Sequence, residues 1–191
     1  MAETVKILGI AGSLRRDSYN RAALRTAVQL VPAGAALETF DLDGIPVYNQ
    51  DNDASPPAKI QELKRLVRAA DALLFATPEH NFSVPAALKN AIDWVSRPPT
   101  DNAWAGKPAA VMGASAGKIA TARAQAHLRQ IFSYVDIHPI NKPIVMIGEA
   151  AQAFDAQGNL KDEKARDLIR QLLESLMAWT IRLRAGGQAG S

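Results

Sequence analysis

Cysteine is absent from the 191-residue chain. That excludes disulfide frameworks, thiolate metal sites, iron–sulfur clusters and cysteine nucleophiles. Histidine occurs three times, at His80, His127 and His138, without a metal-ligand spacing. No metal site is expected. Charge of one sign is barely in excess: 22 basic residues face 19 acidic ones, a net charge of +3. The basic residues are scattered, so a nucleic-acid partner is not expected. No apolar stretch approaches the roughly 18–20 residues of a bilayer span, and no membrane partner is expected. Met1 to Ile10 enters an apolar segment at once, without a cationic leader and cleavage site; a cytoplasmic location is expected. Internal repeats and linkers are also missing. One domain over residues 1–185 is expected, with the glycine-rich residues 186–191 as a flexible tail.

What is present has globular composition, 48% hydrophobic and 21% charged. Short apolar runs alternate with helical spacing. Val5 to Ile10 lacks clean alternation, which suits a strand buried on both faces. Leu24, Ala27, Val28 and Val31 fall at i, i+3, i+4 and i+7, before Pro32 and Gly34. A second strand is expected over Ala36 to Leu42. Ser55-Pro56-Pro57 predicts a cap with proline at the first helical position, ahead of the stripe Ile60, Leu63, Val67 and Ala70. Further strands are expected at Ala72 to Thr77, Ala109 to Gly113 and Pro143 to Ile147. Helices are expected from about Pro85, through Ala124 to Val135, and from Lys161 to Arg184. Five strands, each followed by a helix, predict an α/β fold: a parallel sheet covered on both faces and wound by right-handed crossovers. Ligands of such sheets bind beyond the C-terminal strand ends, at the point where strand order reverses. Segments 11–20, 77–83 and 113–118 would lie there.

The first of these segments carries Gly12-Ser13-Leu14-Arg15-Arg16-Asp17-Ser18-Tyr19-Asn20. Serine and asparagine donors, two guanidinium groups and a following helix N-terminus suit a terminal phosphate. The competing reading is that Ser18 only caps the helix and the arginines are solvated. The second, Thr77-Pro78-Glu79-His80-Asn81-Phe82-Ser83-Val84-Pro85, sets polar groups beside an aromatic between stiffening prolines. It suits the edge of a flat heterocycle, or is a plain turn and cap. The third, Gly113-Ala114-Ser115-Ala116-Gly117, lets a ring approach the backbone or is ordinary turn chemistry. Two phosphate motifs are excluded. G-x-G-x-x-G is missing, and Gly113 to Ile119 has too few residues for a P-loop and lacks its Ser or Thr.

Three stretches together carry a resemblance. They are Gly12-Ser13-Leu14-Arg15-x-x-Ser18-x-Asn20, Pro78-Glu79-x-Asn81-x-Ser83-x-Pro85-x-x-Leu88-Lys89-Asn90-Ala91-Ile92-Asp93-Trp94 and Gly106-Lys107-Pro108. The chain resembles the NAD(P)H-dependent FMN reductase family, and within it the chromate- and quinone-reducing flavoproteins. The resemblance implies a flavodoxin-like three-layer sandwich with strand order 2-1-3-4-5 and non-covalent FMN. It implies that Ser13, Leu14, Arg15, Arg16, Asp17, Ser18, Tyr19 and Asn20 hold the phosphate. Pro78, Glu79, His80, Asn81 and Phe82 would border the isoalloxazine, with Ser115 and Gly117 meeting it from the third segment. The family usually has tyrosine where this chain has His80. The implied reaction is ping-pong, from NADPH or NADH through FMN to a quinone, chromate or another small-molecule acceptor. Flavin carries the chemistry, so no catalytic side chain is nominated. A homodimer or homotetramer is implied, and Trp94 and Trp104 suit an interface patch. The alternatives are a flavodoxin-like electron carrier and a non-enzymatic FMN-binding module.

Overall fold

A computed structural model describes residues 4–188. Six parallel strands are present: β1 (Val5–Ala11), β2 (Ala35–Phe40), β3 (Ala72–Ala76), β4 (Pro108–Ala114), β5 (His138–Pro139) and β6 (Val145–Ile147). The helices are α1 (Tyr19–Gln29), α2 (Ala58–Ala69), α3 (Ala86–Val95), α4 (Ala122–Val135), the single turn α5 (Ala150–Ala153) and α6 (Glu163–Gln188). Strand order is β2-β1-β3-β4-β5, the expected flavodoxin-like arrangement.

The continuous apolar runs are explained by burial on two sides. Successive side chains of a strand point to opposite faces. Ile7 and Leu74 pack under α1 and α6 with Leu24, Ile169, Leu172 and Leu176. Their neighbours Leu8, Leu73 and Phe75 pack under α2, α3 and α4 with Leu63, Leu88, Ile92, Leu128 and Phe132. All five residues of β3 are buried. At roughly 25 cal/mol per Å² of apolar surface removed from water, these two layers dominate the stability of the fold.

Several expectations change in detail. The fifth sheet position is split: β5 pairs with Pro108 and Ala109, and β6 pairs with Met112 to Ala114. Pro139 and Pro143 lack the N–H that an uninterrupted ladder requires, and the edge position tolerates the break. The predicted cap at Ser55 does not form. Pro57 occupies the N-cap position with extended backbone and no side-chain bond. A proline following Pro56 keeps that residue out of the helical region, so the helix starts after the pair. Helix α6 continues through the first residues of the expected tail to Gln188. The remainder of that tail, 189–191, lies outside the described residues.

Trp94 and Trp104 do not form a surface patch. Both are buried, and their indole N–H groups bond the carbonyls of Pro46 and Ile92 at 2.8 and 3.1 Å. Asn90 also donates to Pro46, at 2.8 Å, and accepts from the Tyr48 N–H. The Leu88 to Trp94 stretch therefore anchors the long loop after β2 to α3.

Lys64 is a charged group within this packing, its side chain only 6% exposed. It donates to the Arg97 carbonyl and to Asp101 at 2.7 Å, and Arg68 pairs with the same carboxylate. The hydrogen bond from Lys64, with the two cationic charges, outweighs burial and holds the Asp101 carboxyl below its ordinary pKa. A depressed folded value stabilises above the unfolded pKa of about 3.9 and loses its effect as pH falls through the folded value. Asp101→Asn is expected to cost about 1–2 kcal/mol at pH 7. The Asp101 side chain is 47% exposed, which keeps the cost below that of breaking a fully buried pair. Urea unfolding at pH 7 and at pH 3 checks this, because the difference between the two proteins should shrink at the lower pH. A difference independent of pH would refute it.

Candidate active site

The sheet order reverses beside β1: β2 lies on one side of it and β3 on the other. The C-terminal ends of β1, β3 and β4 open there into the three loops singled out above. They enclose a cavity of about 780 Å³, within the roughly 300–1,000 Å³ usual for small-molecule sites. Its walls include Ser13, Leu14, Arg15, Ser18, Tyr19, Asn20, Pro78, Glu79, His80 and Ser115. Gly12, Pro85, Ala86, Ala87, Ala114 and Ala116 complete them.

Loop one is shaped by packing as much as by any ligand. The Gly12 N–H donates to the Ala76 carbonyl at 2.9 Å. A Cβ on Gly12 would lie 3.0 Å from Pro85 and 3.2 Å from Leu88. Glycine here brings the loop against the start of α3, a tighter demand than access for a ligand. Ser18 is the N-cap of α1, its hydroxyl accepting from the Asn20 N–H at 3.2 Å. The Ser13 hydroxyl faces the Arg15 N–H at 3.4 Å. Arg15 is exposed and lies over the Tyr19 ring, 5.4 Å from its centroid.

Asn20 differs from the expectation for its side chain. It is 2% exposed and its amide is fully engaged with the other side of the site. Its Nδ2 donates to the Ala114 carbonyl at 2.9 Å, and its Oδ1 accepts from the Ala114 N–H at 2.8 Å. The residue clamps the start of α1 to the end of β4, tying loop one to loop three.

Loop two is a tight hairpin. His80 and Ser83 exchange N–H···O bonds at 3.0 and 2.9 Å, and Asn81 and Phe82 both have left-handed backbone, φ +48° and +63°. Two consecutive left-handed residues make a type I′ turn. Its tip carries Asn81 and Phe82 outside the cavity wall. Phe82 is 64% exposed, with the Arg123 guanidinium 3.9 Å from its centroid. Glu79 points its carboxylate at α4, accepting from the N–H groups of Arg123 and Ala124 at 2.9 and 3.1 Å and from the Arg123 guanidinium at 3.1 Å. Burial raises its pKa, but these hydrogen bonds and the Arg123 charge more than offset that and hold it low. Glu79 is therefore a paired, ionised cap rather than a free acid.

Loop three is equally constrained. The Ser115 hydroxyl accepts from the Gly117 N–H at 3.1 Å, and Gly117 lies outside the cavity wall. A Cβ on Gly113 would overlap the Thr121 hydroxyl and come 2.5 Å from the Thr77 carbonyl oxygen. Arg16 and Asp17 also leave the main cavity, lining a second one beside it.

The contribution of α3 was not among the expected site residues. Pro85 is its N-cap, without a side-chain bond, and its first turn bears no acidic residue; the same absence holds for α1. Two helix N-termini thus border the cavity, each with unpaired N–H groups and partial positive charge. Pro85 was itself the usable signal, as proline ahead of a helix start. The one carboxylate in the wall, Glu79, is neutralised by Arg123, so the field favours an anion. Among the described residues, no group of three or more acidic or histidine side chains converges to hold a metal.

A family described as NADPH-dependent FMN reductase matches residues 5–152, which include every loop of this cavity. An NAD(P)H-dependent FMN reductase of Pseudomonas aeruginosa is 57% identical, over 96% of this chain and 100% of that protein. A 2-hydroxy-1,4-benzoquinone reductase of a Burkholderia species is 40% identical, over 92% and 96%. The solved structure of the NAD(P)H:(acceptor) oxidoreductase FerB from Paracoccus denitrificans superimposes with a TM-score of 0.85 at 34% identity, covering 94% of this chain and 98% of that one. With matches of this extent spanning the strand-end loops, the chain belongs to the NADPH-dependent FMN reductase family.

Proposed function

We propose that the protein is an NAD(P)H-dependent, FMN-containing oxidoreductase that reduces a quinone or a similar small acceptor. The observation that carries the reading is the 780 Å³ cavity itself. It has an anion-favouring end made by Arg15, Ser13 and the α1 N-terminus, and a low, alanine-lined stretch along Ala86, Ala87, Ala114 and Ala116. That combination suits a flat heterocycle carrying one phosphate.

Arg15, with N–H groups of the loop and helix, would hold the phosphate, while Ser18 and Asn20 keep that loop in shape. Backbone groups of Pro78, Glu79 and His80 would line the ring edge, with Ser115 opposite. FMN supplies the two-electron redox chemistry when bound. The protein holds the reactants in contact and places fixed N–H dipoles where negative charge develops. No general acid or base is required of a side chain, and Glu79 is committed to Arg123 and α4. The donor nucleotide and the acceptor would use one mouth in turn, beside exposed Leu14 and His80 of the cavity wall, which would make the kinetics ping-pong. His80, in place of the family's tyrosine, would tune which acceptors enter; chromate is among those an open mouth admits.

A reductase drawing on NAD(P)H works where that nucleotide is maintained, which supports a cytoplasmic location. Among the described residues, no helix is long and apolar enough to cross a membrane. A homodimer or homotetramer is part of the same proposal, read from the family resemblance.

Purified, FMN-loaded protein should be yellow. Its visible absorbance should bleach anaerobically with NADPH or NADH and return when benzoquinone is added. Loaded protein that bleaches with neither nucleotide refutes the reductase reading. A pure electron carrier would bleach only through a partner reductase.

A further inference from the structure

Beside the main cavity lies a second one, of about 340 Å³. The two share Arg15, Ser18 and Tyr19. The remaining wall is Arg16, Asp17, Ala22 and Arg25 on one side and the turn Asp155 to Gly158 on the other. Three arginines from one loop and the first turns of one helix therefore converge on a small chamber that adjoins the proposed flavin site.

None of these arginines is ion-paired among the described residues: no carboxylate lies within ion-pair distance of Arg15, Arg16 or Arg25, whereas Arg21 on the same helix is paired with Asp41 at 2.5 Å. The contact made by Arg25 is a 3.5 Å approach to the Gly158 carbonyl. The acidic residue opposite them is also spoken for. Asp155 accepts from the Gln157 and Asn159 N–H groups at 2.9 and 2.8 Å and from the Asn159 side-chain amide at 2.9 Å. Its oxygens close their own turn and form no ion pair with the arginines, while the carboxylate keeps its charge. Asp17, exposed at the loop apex, is the other anion of the wall. Three guanidinium groups thus face two carboxylates across the chamber and, among the described residues, none of them is ion-paired, which leaves their forks available to a phosphate monoester dianion.

We infer that this chamber is the subsite for the 2′-phosphate of NADPH, with Arg16 and Arg25 as the residues that distinguish NADPH from NADH. The inference rests on the reductase reading above. The two nucleotides differ only in that phosphate, so a recess of this charge next to the main cavity converts directly into a preference. NADH would place a ribose hydroxyl there and leave the guanidinium groups solvated. Arg15, at the shared wall, separates the two phosphates while facing both.

The test uses the FMN-loaded full chain. Calorimetry should show adenosine 2′,5′-bisphosphate binding at least about tenfold tighter than adenosine 5′-monophosphate, the scale of one charge-assisted hydrogen bond. Arg25→Gln and Arg16→Gln should each weaken the bisphosphate about tenfold and leave the monophosphate unchanged, and Arg25→Lys should keep part of the preference. In turnover, Arg25→Gln should raise KM for NADPH about tenfold, with kcat and the KM for NADH within twofold of the parent. Equal affinity for the two adenosine nucleotides, or a preference that survives both glutamine variants, overturns the inference. Loaded protein inert to both NADPH and NADH refutes the reductase reading instead, and calorimetry still decides whether the recess selects the 2′-phosphate.

Discussion

Asn20→Ala is expected to lower stability by about 2–5 kcal/mol, read as a clear fall in the midpoint of urea unfolding with an unchanged slope. The side chain satisfies both the N–H and the carbonyl of Ala114, at 2.8 and 2.9 Å, in a place where it is 2% exposed. Removing it leaves two buried backbone groups without partners, each costing about 1–3 kcal/mol, and opens a void. Asn20→Asp should not rescue it, because a carboxylate has no N–H to offer the Ala114 carbonyl. The damage would extend to ligand binding, since Ala114 begins loop three and lines the cavity. A variant within 0.5 kcal/mol of the parent, on the usual scale of surface substitutions, would show that the clamp is unimportant.

Arg15→Ala is the counterpart, a large loss of affinity with little loss of stability. Arg15 is exposed, and its observed contact is the face of Tyr19. Its removal should leave urea unfolding of the flavin-free protein nearly unchanged. A hydrogen bond to a charged partner is worth about 1.5–3 kcal/mol, so the Kd for FMN should rise about 10- to 150-fold. Arg15→Lys should lose less, keeping the charge but not the planar fork. Quenching of free-flavin fluorescence on titration gives the constant directly. A Kd within twofold of the parent would remove Arg15 from the phosphate site and shift the burden to loop and helix N–H groups. Together the two variants separate scaffold from ligand contact within six residues of sequence.

That separation marks the boundary of what the residue string discloses. Ser18 and Asn20 stand in the same motif as Arg15, and side-chain chemistry alone makes all three phosphate donors. Once folded, Ser18 caps α1, Asn20 faces inward to Ala114, and Arg15 remains exposed. The same sorting occurs in loop two. Glu79, His80, Asn81 and Phe82 are consecutive, yet the two left-handed residues carry Asn81 and Phe82 to a hairpin tip and Glu79 turns to the start of α4. Trp94 and Trp104 look like an exposed aromatic pair in a proline-flanked segment, but the loop after β2 folds over one and α3 covers the other.

Local physics was enough for the architecture. Apolar runs of strand length, each followed by a 3.6-residue stripe, admit little besides a parallel sheet covered on both faces, and the positions of the strand-end loops follow from it. Cysteine content, charge balance and glycine spacing removed the rival chemistries for the same reason: they depend on residue types alone. What the order of residues does not contain is the company each side chain keeps across distances such as the 94 positions separating Asn20 from Ala114. Only the folded chain decides which polar groups satisfy one another inside and which are left facing an open cavity, because burial makes an unpartnered group costly and so commits every buried one first.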